Sequence, residues 1–142
     1  MITIEIPIYY SRLHIFLDEA DYSKKKISKC VRNWFVKETD YNKLTSEFNK
    51  SYEKSIKEDN CGGVTIFNSG LYIIALRKYN TTPKIFSILI HELLHVVFEV
   101  MRSKNIVESD SSTECYTYFM EWLTEEALNK IGKYETSIET TA

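Results

Sequence analysis

Residues 88–96 read ILIHELLHV, inside a longer run, 85–101, whose only other polar members are Ser87 and Glu99. A stretch this apolar must lie against a core, and its length suits a helix better than a strand. Yet it holds two of the chain's three histidines and a glutamate between them. Polar groups taken out of water need partners. The run therefore calls for a helix whose polar residues something satisfies, either a metal ion or a hydrogen-bonded cluster at a helix face that reaches the surface.

The spacing favours the metal. His91 and His95 are four apart, so on a helix both imidazoles leave the same face, within reach of one tetrahedral ion. Glu92 projects about 100° around the helix from His91. That places it beside such an ion rather than on it, where a carboxylate can exchange protons with a water. A zinc site of this kind takes a third protein ligand and keeps one position open. No histidine follows His95, so the third ligand must be an acid or a cysteine. Glu99 shares the helix but lies a turn too far along. Glu108 and Asp110 fall in an acidic, serine-rich connection. Glu114, at the head of the next predicted helix, is favoured, because the intervening chain suffices to end one helix and bring the next alongside. Cys115 lies about 100° around from Glu114, so the two cannot both face one ion. Ser111-x-x-Glu114 also reads as a capping box, which needs no metal.

The rest of the chain supplies an α+β frame. ITIEIPIYY and LHIFL cluster β-branched and aromatic residues, giving one long strand or two short ones over 2–17, with Pro7 at an edge or bulge. Residues 22–36 predict a helix with Ile27, Val31, Trp34 and Phe35 on one side and lysines on the other. Residues 43–56 are weaker, helical or irregular, with Leu44, Phe48, Tyr52 and Ile56 recurring every fourth position. GGVTIF and LYIIALR read as strands joined by a hairpin turn at Asn68-Ser69-Gly70. Thr81 or Thr82 can cap the histidine-bearing helix, and Pro83 suits its first turn. That helix is expected to run to about Lys104 and, being apolar on nearly every side, to be buried at the centre. A last helix over 113–131 carries the stripe Phe119, Met120, Leu123, Ala127 and Ile131. The organisation expected is a single domain over 1–131 and a tail over 132–142.

Composition narrows the partners. With 44% hydrophobic and 13% aromatic residues, the chain can bury a core and is not of the disordered class. A net charge of −2, with lysines and acids interleaved, argues against a nucleic-acid partner; the KKK at 24–26 reads as a solvated helix face. No run reaches the roughly 18 apolar residues of a membrane span. The start, MITIEIPIYY, lacks the features of a secretion signal, so a cytoplasmic location is expected. Cys30, Cys61 and Cys115 are odd in number and form no CxxC, which argues for reduced thiols rather than a disulfide framework. Oligomeric state is left open.

HELLH on a core helix, preceded by a strand pair and followed by a glutamate at the head of another helix, resembles the minimal zincin fold of Glu-type zinc metallopeptidases. The stretches GLYIIALRK, TPKIFSILIHELLHVVFEV and TECYTYFMEWL are similar to small zincin-like metallopeptidases encoded by bacteriophages. The similarity covers residues 62–123, and more faintly the N-terminal IPIYYSRLHIFL. The ECYTY segment departs from small, alanine-rich versions of that helix but keeps the acid. The resemblance implies a small mixed or antiparallel sheet packed on the HELLH helix, with the Glu-bearing helix following. It implies one zinc held by His91, His95 and Glu114, with Glu92 as general base in hydrolysis of a peptide or a specific protein. Phage origin would make the location a host cytoplasm. Tyr118, Tyr116, Tyr72 and His14 are candidate donors to the oxyanion, and GGVTIF or LYIIALR could present an edge to an extended peptide. The alternative class is a zinc-stabilised, non-catalytic module that binds a host or partner protein. Glu92 disfavours it, because a structural site has no use for an acid between its histidines and closes its fourth position with a side chain.

Overall fold

The computed structural model describes residues 1–35 and 40–142. Ile2–Ile6 (β1) and Ser11–Phe16 (β2) pair as an antiparallel hairpin, Ile2 opposite Ile15 and Ile6 opposite Ser11. Pro7–Tyr9 forms a turn of 3-10 helix between them. Residues 2–17 are thus two short strands, and Pro7 sits outside the ladder, where its missing N–H breaks no pairing.

Gly63–Asn68 (β3) and Leu71–Leu76 (β4) make the second hairpin. Ser69 and Gly70 both have positive φ, 45° and 87°, as a two-residue turn of this kind requires. A β-carbon on Gly70 would stand 3.0 Å from Trp34 Cζ2 and 3.1 Å from the Tyr10 carbonyl oxygen, so crowding and backbone both select glycine there. The sheet order is β1-β2-β4-β3, with β2 and β4 parallel, and β3 is an edge. All six residues of β4, LYIIAL, are buried because helices cover both faces of the sheet.

One face carries Lys24–Trp34 (α1) and Tyr41–Tyr52 (α2), started by side-chain caps: Ser23 accepts from the Lys26 N–H and Asp40 from the Lys43 N–H. The segment expected to be weak, 43–56, is firmly helical, and Glu53–Glu58 continues α2 as a π-helical stretch. Val36, the last residue of the predicted first helix, lies outside the described residues. Ile27, Val31, Phe48 and Ile56 pack here against Phe16 and Ile73.

The other face carries Pro83–Ser103 (α3) and Thr113–Thr141 (α4), where Leu89, Leu93, Val96 and Leu123 meet Leu13 and Ile74. The result is a three-layer α+β domain with a mixed four-stranded sheet in the middle. Two expectations need correction. First, α3 is not buried all round. Leu89, Glu92, Leu93, Val96, Val97, Val100 and Met101 are buried, whereas His91, Leu94, His95 and Phe98 are exposed, because α3 lies on the sheet with one side turned away from it. Second, the residues expected as a tail are helical: α4 runs to Thr141, although Ile131 is its last buried residue.

The end of α3 is fixed by its backbone. Asn105 adopts positive φ, 57°, its N–H donates to the Arg102 carbonyl and the Ile106 N–H to the Met101 carbonyl, the two bonds of a Schellman motif. Ile106 then packs on the core. All three cysteines are free, Cys30 buried and the other two exposed. Among the described residues no helix is long and apolar enough to cross a membrane.

Candidate metal centre

The buried stripe of α3 fixes its rotation on the sheet, and that rotation turns His91 and His95 outward. Their rings meet edge-on, centroids 4.7 Å apart at 84°, and their Nε2 atoms are 3.0 Å apart. At that separation two neutral imidazoles have two ways of meeting. One ring donates its Nε2–H to the other, or both lone pairs face one shared electrophile. Zn–N bonds of about 2.0–2.1 Å are compatible with such a bite. Nitrogen donors on a solvent-facing helix surface are what a borderline cation accepts, so the pair fits a shared ion.

Glu92, one residue on and about 100° around the helix, is turned inward toward the sheet. It is 6% exposed, in the layer between α3 and β3. Thr65, on β3, donates its hydroxyl to Glu92 Oε2 at 2.6 Å, and the same Oγ1 lies 3.1 Å from the Glu92 carbonyl oxygen. The stem of Glu92 rests on Gly63, where an added β-carbon would stand 3.2 Å from Glu92 Cγ and 3.0 Å from both Ile88 Cγ2 and Leu76 Cδ2. Neither Thr65 nor Gly63 stands out in the sequence as a partner of Glu92. Period-two alternation puts both on one face of β3, but which helix covers that face is a tertiary fact.

The structure joins the two histidines, yet it gathers no third ligand with them: among the described residues no group of three or more His, Cys, Asp or Glu is placed to hold one ion. Glu99 is engaged by Arg102 on its own helix. Glu108 and Asp110 are exposed in the connection, and Glu114 is exposed in the first turn of α4. The capping-box expectation fails. The N-cap of α4 is Ser112, whose side chain makes no cap bond, because its hydroxyl donates to the Val107 carbonyl at 2.6 Å and accepts from the Ser109 N–H. Glu114 therefore sits one position too early to close the box, and helix capping does not account for it.

The candidate oxyanion donors separate clearly. Tyr116 is buried and donates to the Ile106 carbonyl at 2.6 Å. Tyr72 is 2% exposed, and burial holds its pKa above the ordinary tyrosine value. His14 lies on the α1–α2 face of the sheet, opposite Ile73 of β4 and hydrogen-bonded through Nδ1 to Thr3 at 2.8 Å, so the sheet separates it from α3. Burial first, then the Arg12 charge, lowers its pKa to about 4. Tyr118 alone among the four is well exposed, one turn after Glu114. With Ile6, Tyr9, Cys115, Phe119 and Trp122 it lines a cavity of about 370 Å³ between α4 and the β1–β2 turn.

No family model, curated protein or solved structure matches this chain.

Proposed function

We propose that the chain is a zinc-dependent peptidase built on a minimal zincin-like arrangement, with zinc held by His91, His95 and Glu114. The observation that carries this reading is the split along α3: two imidazole nitrogens 3.0 Å apart on its outer face, and between them in sequence a carboxylate held inward at 2.6 Å from Thr65. A polar cluster serving only solubility has no need of that division. The first turn of α4 carries Glu114 and Cys115, with Tyr118 one turn further on, and Glu114 is an exposed acid there that no capping box employs.

Zinc, when bound, supplies Lewis acidity toward a carbonyl and toward water. The chain supplies the rest. Glu92 takes a proton from the attacking water and hands it to the departing amine, restoring its own carboxylate. β3, at the edge of the sheet and beside α3, offers unpaired backbone groups to an extended peptide. Tyr118 is the exposed hydroxyl available to the developing oxyanion.

The test is zinc per chain by elemental analysis, with cleavage of a defined peptide library read by mass spectrometry. Wild type should hold about one zinc and cleave. Glu114→Ala should lose the metal, and Glu92→Gln should keep it while losing cleavage. Zinc retained by Glu114→Ala removes Glu114 from the ligand set. Zinc bound by wild type with no peptide cut favours the binding-module alternative.

A further inference from the structure

We propose that Thr65 is the positioning residue for Glu92: its hydroxyl, delivered by the edge strand β3, fixes the carboxylate so that one oxygen is occupied and the other is left for proton transfer. This rests on Glu92 being the proton carrier argued above.

Glu92 is 6% exposed, and a buried carboxylate without a donor is costly. Thr65 Oγ1 meets that need at 2.6 Å, a separation typical of a charge-assisted O–H···O bond. The hydroxyl has one proton, and the carbonyl oxygen of Glu92 at 3.1 Å is the weaker claimant. Oε2 is thereby occupied.

The donor is itself held. Thr65 is paired with Ile74 of β4, which is fully buried, so the backbone presenting the hydroxyl is part of the sheet rather than a loop. Branching at Cβ restricts its side-chain rotation. Two residues earlier on the same strand face, Gly63 leaves room for the Glu92 stem and nothing more. The side chain is thus gripped twice, its methylenes on Gly63 and its carboxylate on Thr65. A glutamate with three rotatable bonds would otherwise sample several rotamers.

The test uses Thr65→Val, which keeps shape and removes the donor, and Thr65→Ser, which restores the donor. Side-chain order at Glu92 is read by ¹³C relaxation and three-bond couplings in the zinc-free protein, with Glu92→Gln identifying the resonance. Wild type and Thr65→Ser should show one Glu92 rotamer, and Thr65→Val averaged couplings. Zinc content should be equal in all three, since Thr65 is not a ligand. On a cleaved library peptide, Thr65→Val should lower kcat about 10- to 100-fold with KM little changed, and Thr65→Ser should recover most of the loss. Should Thr65→Val not fold, Thr65→Ala gives the same reading.

A single unchanged Glu92 rotamer in the donorless variant overturns the proposal. So does Thr65→Ser behaving like Thr65→Val. Failure of zinc-loaded wild type to cleave any peptide counts against the peptidase function alone, because the rotamer measurement needs neither zinc nor substrate.

Discussion

The ring of Phe98 on α3 lies against that of Tyr116 on α4, centroids 5.4 Å apart, and the Tyr116 hydroxyl donates to the carbonyl of Ile106, the residue that closes the end of α3. One side chain thus ties the first turns of α4 to the outer face and to the C-terminus of α3. Glu114 lies two residues before it. This clamp holds the start of α4 against the end of α3.

Tyr116→Phe keeps the ring contact and strands a carbonyl. It should cost about 1 kcal/mol, the usual net value of such a bond, whereas Tyr116→Ala should cost about 3–5 kcal/mol by opening a cavity. Urea denaturation of both variants gives the comparison. Equal losses would mean that the ring contact contributes nothing beyond the hydroxyl, and no loss in Tyr116→Phe would mean that the hydroxyl contributes nothing.

The rotation of α3 on the sheet can be tested with neighbouring leucines. Leu93 is fully buried against the sheet, while Leu94 is 41% exposed. Leu93→Ala should destabilise by about 2–5 kcal/mol, and Leu94→Ala should stay within about 0.5 kcal/mol of wild type. Similar costs for the two would show α3 covered on both sides, as its composition alone suggests.

That contrast marks the boundary of what the sequence displays. The β3–β4 hairpin is legible because Asn68-Ser69-Gly70 has the chemistry its turn requires, and LYIIAL is apolar on both faces because both are covered. The histidine pair is legible from helical spacing alone. The buried side of α3 is not, since Leu94 and Phe98 are as apolar as Leu93 and Val97, and only the neighbouring sheet chooses between them. Thr65 is hidden for the same reason: its meeting with Glu92 depends on β3 passing under α3. The helicity of residues 132–141 is masked by a polar sequence, KYETSIETT, without a buried stripe; the helix there extends one already anchored from Tyr116 to Ile131.

His14 should make stability depend on pH. It is 6% exposed, its Nε2 has no hydrogen-bond partner among the described residues, and its pKa is lowered to about 4. Between the unfolded value of 6.5 and the folded value the unfolded chain binds the extra proton, so stability falls as pH drops through this window. The full loss is on the order of 3 kcal/mol. Denaturation midpoints at pH 7, 5.5 and 4.5 should decline for wild type, and the decline should flatten in His14→Leu. Parallel declines in the two proteins would assign the effect to other groups.

Metal linkage offers a measurement independent of any substrate. An ion that binds the native state and not the unfolded chain stabilises by mass action, about 2.7 kcal/mol at a hundredfold excess over its dissociation constant. Thermal melts with zinc should therefore exceed melts with chelator. The difference should vanish in His91→Ala and in His95→Ala, because one imidazole cannot replace the paired bite that their 3.0 Å Nε2 separation provides. It should persist in Glu92→Gln, since that side chain faces β3 rather than the outer surface of α3. Glu114→Ala separates two possibilities. A lost zinc response places the first turn of α4 in the ligand set, and a retained one means that the histidines recruit their third donor elsewhere. Superimposable wild-type melts with and without zinc would remove the metal centre and leave the histidine pair as a hydrogen-bonded surface feature.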